Sequence, residues 1–137
     1  MKTLARFGVS LEKSLLEKFD SLIHSRGYAN RSEAFRDLIR QELTRKEWLE
    51  GEEVTGAVTI IYDHHRKDLV GKLTDIQHDY QPIVISTQHI HLDHDNCLEI
   101  IAVKGKPADV QQLADTLRSI KGIKHGTLSM SSTGKNL

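Results

Sequence analysis

Apolar and polar residues alternate at the start of the chain. Ala5, Phe7, Val9 and Leu11 fall on one face of an extended segment, and Arg6, Gly8 and Ser10 on the other, which predicts a short strand. The period then lengthens to that of a helix. Leu11, Leu15, Leu16, Phe19, Leu22 and Ile23 recur at helical spacing, with Ser10 as the expected cap, Glu12 in the positive first turn and Gly27 as the stop. Asn30 followed by Glu33 has the form of a capping box for a second helix, whose buried stripe would be Ala34, Phe35, Leu38, Ile39 and Leu43. The charged stretch RKEWLEGEE breaks the pattern, with Gly51 as the breaker and Trp48 placed to anchor the helix end. This reading gives a strand-helix-helix module over residues 1–48 and a linker over 49–53.

Beyond the linker the periods alternate. Val54 to Tyr62 is rich in β-branched residues and reads as a strand. Leu69, Val70, Leu73 and Ile76 mark a helix over Arg66 to Tyr80. Strands follow over Pro82 to Leu92 and Cys97 to Lys104, joined through the turn chemistry of DHDN. Pro107 suits a first helical turn, Val110, Leu113, Ala114, Leu117 and Ile120 give that helix its face, and Gly122 ends it. A last strand runs from Ile123 to Met130. The order βαββαβ over residues 54–132 is the ferredoxin-like arrangement, so the fold class is α+β, with residues 133–137 as a frayed tail.

Composition narrows the class. Of 137 residues, 38% are hydrophobic and 28% charged, as in ordinary globular domains, and no run approaches the roughly 20 apolar residues of a membrane span. The start, MKTLARFGVS, has neither a long apolar run nor a small-residue cleavage pattern, and Cys97 is the single cysteine. A reduced thiol and a cytoplasmic location are expected. The formal net charge is zero, so contact with a polyanion would have to come from a local surface.

One strand and two helices leave a strand edge and a helix face open, which a second copy of the chain would cover. Two paired strands form an antiparallel ribbon, and a ribbon fits the major groove of double-stranded DNA. Arg6, Gly8 and Ser10 would face the bases, with Arg6 able to donate a bidentate pair to guanine. The free amides near Asn30 to Ser32 would suit a phosphate. A plain dimerisation module without DNA is the competing reading of the pattern.

The histidines carry the second signal. Seven of the eight lie beyond residue 60. In TQHIHLDHDNC, His89 and His91 project from one face of a strand, and a hairpin would return Cys97 beside them, with His78 on the preceding helix as a fourth donor. Three imidazoles and a thiolate suit nickel, copper or zinc far better than magnesium or calcium, and spacing alone does not choose among them. Gln77 and Glu99 are candidates to hydrogen-bond the ligand imidazoles. His94 is read as solvated, His125 as structural, and the pair His64 and His65 as a solvated loop in preference to an accessory metal site. Arg66 and Lys67 can touch DNA phosphates. Glu33 and Asp37, four apart on one helix face, can hold a hard cation, though a solvated face is the default.

With these motifs in place, the chain resembles the NikR family of nickel-responsive transcriptional regulators. The resemblance rests on the ribbon, RGYANRSEAFRDLIR, the QHDY helix end and HIHLDHDNCLEI, and runs from about Leu4 to Met130. Gly8 departs from the Thr or Ser of some relatives at the middle of the ribbon. The resemblance implies a ribbon-helix-helix DNA-binding module, an ACT-like sensing domain, and a homotetramer built as a dimer of dimers. It also implies one Ni(2+) per subunit, bound by His89, His91 and Cys97 of one subunit and His78 of its neighbour, with Glu33 and Asp37 as a second cation site. The implied function is repression of nickel uptake genes at an operator, without enzymatic activity. A regulator of the same build sensing copper, zinc or cobalt is the alternative. A metallohydrolase is disfavoured because no carboxylate is clearly paired as general base, and an amino-acid sensor because of the histidine cluster.

Overall fold

A computed structural model describes residues 3–137 of the chain. In the first unit, which ends at Gln41, helix α1 spans Lys13–Ser25. It closes in a Schellman arrangement: Gly27 takes φ +80°, its N–H reaches the His24 carbonyl at 3.1 Å, and Tyr28 N–H reaches that of Ile23 at 3.0 Å. Helix α2, Arg31–Glu50, opens as its capping sequence predicts. Asn30 Oδ1 accepts from Glu33 N–H at 2.9 Å. The Glu33 carboxylate accepts in return from Ala29 N–H at 3.3 Å, one residue before the cap.

Two local expectations are corrected in this unit. Ser10 does not cap α1, because the helix starts at Lys13 with Glu12 in the cap position and no side-chain cap bond. Residues 5–11 form no strand in the single chain. A β-ladder exists only between paired strands, and the described residues of this unit offer no second one. Phe7 packs edge-on to Phe35 at 6.3 Å between centroids, and Phe19 lies 5.2 Å from the same ring. Even so, only Ile23 and Ala34 are buried among the described residues here, while Phe7 is 72% exposed and Ile39 52%.

The second unit runs Glu42–Leu137 and takes in the last turns of α2. Gly51, at φ +78°, follows the end of that helix. Trp48 anchors it as expected: its indole N–H donates to the Ser131 carbonyl at 2.9 Å, and its ring packs against the core. Strands β1 (Val54–Tyr62), β2 (Val84–His91), β3 (Cys97–Gly105) and β4 (His125–Ser131) alternate with helices α3 (Lys67–Asp79) and α4 (Pro107–Arg118) in the order β1-α3-β2-β3-α4-β4. The sheet order β2-β3-β1-β4, with antiparallel neighbours, is the ferredoxin-like topology.

Alternate residues of β1 and β3 (Val54, Val58, Ile60, Tyr62, Cys97, Ile101 and Val103) bury with Leu69 and Leu73 of α3 and with Val110, Leu113, Ala114 and Leu117 of α4. Gly56 lets β4 come close, since a Cβ there would stand 2.8 Å from the Ser129 carbonyl oxygen. In the final residues Lys135 lies 3.8 Å from Glu53 and Asn136 donates to Glu52 at 3.4 Å, both between exposed side chains.

Arg31 and Asp20 join α2 to α1 by two parallel hydrogen bonds, at 2.9 and 2.8 Å. The Arg31 hydrogen bond holds the Asp20 carboxyl below its ordinary value. A carboxyl depressed on folding contributes stability above its unfolded pKa and loses it as pH falls through the lower folded value. Chemical denaturation of the full chain should therefore show stability declining below about pH 4. Asp20→Asn should flatten that part of the decline, and an unchanged acid profile would deny the pair any role.

Candidate metal centre

The β2–β3 hairpin is built by its turn. Asp93 Oδ1 accepts from the backbone N–H groups of Asp95 and Asn96, each at 2.9 Å, and Leu92 N–H closes on the Asn96 carbonyl at 3.0 Å. This fixes the register, placing His91 opposite Cys97 and His89 opposite Glu99. On the other side of β3, Tyr62 stands opposite Cys97. Strand alternation therefore sets His89, His91, Cys97, Glu99 and Tyr62 on one face of three neighbouring strands.

Behind the histidines lies a closed polar network. Glu99 is only 7% exposed. Its Oε1 accepts from the Tyr62 hydroxyl at 3.0 Å and its Oε2 from Gln77 Nε2 at 2.8 Å, while Thr87 donates to Gln77 Oε1 at 2.8 Å. His89 Nδ1 is 3.3 Å from the Tyr62 hydroxyl oxygen and 3.5 Å from Glu99 Oε1. Burial, then the Glu99 charge, pushes the Tyr62 phenol well above its ordinary value, so it stays protonated and donates to Glu99. Both oxygens facing His89 are then acceptors. With a proton on Nδ1 directed at these acceptors, Nε2 would keep the lone pair a metal requires.

Cys97 is fully buried, and its thiol donates to the Tyr62 carbonyl at 3.3 Å. Burial is the largest cause that raises the thiol above its ordinary value. A cation at the sulfur would favour the thiolate, since metal ligation and deprotonation are linked. Two imidazoles, one beside the Tyr62–Glu99 pair, and a sheltered sulfur fit a soft-to-borderline transition ion.

The four expected ligands are not all brought together in one chain. His89 and His91 are neighbours, with ring centroids 5.3 Å apart. His91, however, also lies edge-on to His64 at 4.6 Å, and Cys97 is turned to the Tyr62 carbonyl. His78 is exposed in the last turn of α3. Among the described residues, the group whose ligand atoms already lie within 4.8 Å of one another is Asp63, His64 and His65.

Sequence reading singled out Gln77 and Glu99 but missed Tyr62 and Thr87, which no motif marks; only the β1–β3 register exposes Tyr62. Glu33 and Asp37 already have protein partners. Asp37 accepts from the Tyr28 hydroxyl and from Gln41 Nε2. Arg6, Gly8 and Ser10 are exposed in the irregular segment before α1. Arg66 is half-buried and paired with Asp68 at 3.3 Å, and Lys67 begins α3 exposed. His125, at the head of β4, stands opposite Ile61 and is exposed.

Comparison with known proteins places both units. Residues 55–131 match the family model described as the NikR C terminal nickel binding domain, and residues 5–46 match that of the ribbon-helix-helix protein, copG family. A nickel-responsive regulator of Syntrophus aciditrophicus is 59% identical over 98% of each chain. One from Chlorobium phaeobacteroides is 61% identical over 96% of this chain and 98% of its own. One from Solibacter usitatus is 56% identical over 100% of this chain and 99% of its own. Among solved structures, the uncharacterized protein TM1266 from Thermotoga maritima aligns with a TM-score of 0.52 at 12% identity, over 58% of this chain and 98% of its own, a likeness of fold.

The network yields a direct test. Tyr62→Phe and Glu99→Gln each unbalance the groups that orient His89, and each should weaken metal binding by about 10–100-fold in calorimetric titration while far-UV circular dichroism stays unchanged. Wild-type affinity in both variants would show that the network only packs the core.

Proposed function

The chain belongs to the nickel-responsive regulators with a ribbon-helix-helix segment, and from that premise we propose that it represses nickel uptake genes by binding operator DNA when nickel is present. The observation that carries this reading is the hairpin. His89 and His91 stand side by side on the strand next to that of Cys97, and His89 Nδ1 lies 3.3 Å from the Tyr62 hydroxyl that donates to Glu99. His89, His91 and Cys97 of one chain would hold the ion, one per subunit at this site, with His78 of a second copy as the fourth donor. The exposure of His78 in a single chain leaves it free for that role. Bound nickel supplies a positive charge that joins the side chains of two subunits.

The first unit supports the DNA half. Its exposed Phe7, Val9, Leu38 and Ile39 leave too little buried surface for a stable module of about 40 residues. A second copy would cover them and give residues 5–11 the partner a strand requires. In that ribbon Arg6, Gly8 and Ser10 face the major groove, and Lys67, with Arg66 if it leaves Asp68, meets phosphates. Two such dimers joined by four sensing domains make a homotetramer in the cytoplasm. No helix among the described residues is long and apolar enough to cross a membrane. Metal and DNA binding are then linked reciprocally, each tightening the other by the same factor.

A mobility-shift assay on the DNA upstream of neighbouring transport genes, with each divalent metal in turn, tests the reading. Nickel should retard the DNA, and Cys97→Ala should abolish nickel-dependent retardation while leaving the fold intact by circular dichroism. Undiminished nickel-dependent binding by Cys97→Ala would overturn the ligand set. A response to copper, zinc or cobalt alone would reassign the metal.

A further inference from the structure

The end of α2 buries a carboxyl and exposes a leucine. Along residues 42–50 of the helix the one buried residue is Glu47, 5% exposed, while Leu49 is 79% exposed. Both Glu47 carboxyl oxygens are buried and have no hydrogen-bond partner among the described residues. Buried polar atoms are nearly always satisfied, and leaving one unpaired opposes its burial. The neighbouring residue pulls the other way. Trp48 packs its ring against the core and donates its indole N–H to the Ser131 carbonyl at 2.9 Å. Thr55 Oγ1 donates to the next carbonyl, that of Ser132, at 2.7 Å, so the end of β4 holds the chain on both sides of Gly51. Two ion pairs within the helix, Arg45 to Glu42 at 3.7 Å and Lys46 to Glu50 at 3.8 Å, are exposed and add little.

We propose that residues 47–50 of α2 are a latch that opens and closes on the sensing unit, held shut by Trp48 and kept marginal by the unpaired Glu47 carboxyl. Segments with little buried apolar surface open locally, at a fraction of the free energy of global unfolding. Opening returns Glu47 to water and gives up the Trp48 packing and one hydrogen bond. Helix α2 begins at Arg31 in the first unit and ends in the second. The latch therefore decides whether the last turn of the helix that bears the first unit is fixed or free. Given the DNA role proposed above, on which this consequence alone rests, the latch is the hinge through which the first unit is aimed at DNA.

Hydrogen exchange of the apo full-length chain, read by mass spectrometry over the end of α2, tests the latch. Glu47→Leu, and Glu47→Met with a side chain of similar length, remove the unpaired oxygens and keep the volume filled. Exchange there should slow about tenfold in both, while exchange in β1 and β3 stays that of wild type. Acrylamide quenching of Trp48, the single tryptophan, should fall in the same variants. Trp48→Phe keeps a ring without the N–H and should exchange faster than wild type. Exchange as fast as wild type or faster in both Glu47 variants would overturn the proposal, because the carboxyl would then be holding a partner instead of opposing closure. In the mobility-shift assay at saturating nickel, Glu47→Leu should change DNA affinity by about fivefold or more. Unchanged affinity together with slowed exchange would overturn the hinge. A wild type that nickel never brings onto DNA would count against the function proposed above, and exchange would still decide the latch.

Discussion

A buried carboxylate organises the sensing unit. Taking Glu99 out of water would cost several kcal/mol if its oxygens were left unpaired, and both are paired, one to Tyr62 on β1 and one to Gln77 on α3. Thr87 on β2 then holds Gln77. One carboxyl group thereby ties three strands and a helix to a single arrangement, and His89 is presented from its edge. A half-satisfied version of this network would be worse than an apolar core, so its members stand or fall together.

The two units solve the burial problem differently. From Glu42 onward, a four-stranded sheet and two helices enclose a continuous core of fully buried side chains. The unit before it has two helices, a clean Schellman stop, a capped second helix and a bidentate ion pair, yet almost nothing inside. Local signals make its helices, but local signals do not exclude water from Phe7, Val9 or Ile39. The proposed second copy answers that deficit and the missing strand partner at once, which is why the DNA-reading surface and the dimer are one proposal rather than two.

The imidazoles form a continuous run from the hairpin turn inward: His94 against His65, His65 on His64, His64 edge-on to His91, and His91 beside His89.

Much of this was legible along the chain. The helical and strand periods gave all six elements from Val54 onward to within a few residues, because each carries an apolar face of the matching period. The pair His89 and His91 on one strand face, with Cys97 across a DHDN turn, followed from alternation alone. Asn30 with Glu33, and Gly27, marked helix ends because caps and left-handed stops are local chemistry. Tyr62 was not legible: nothing near it in sequence says that β1 lies beside β3 with Tyr62 opposite Cys97. The grouping of His64 with His91 and of His65 with His94 was equally hidden, since it depends on where the β1–α3 connection meets the hairpin. The amino-acid sequence by itself determined which residue faces which side of its own helix or strand, because that is set by backbone period. Only the tertiary structure decided which faces meet, because strand order and register arise from burying the whole core at once.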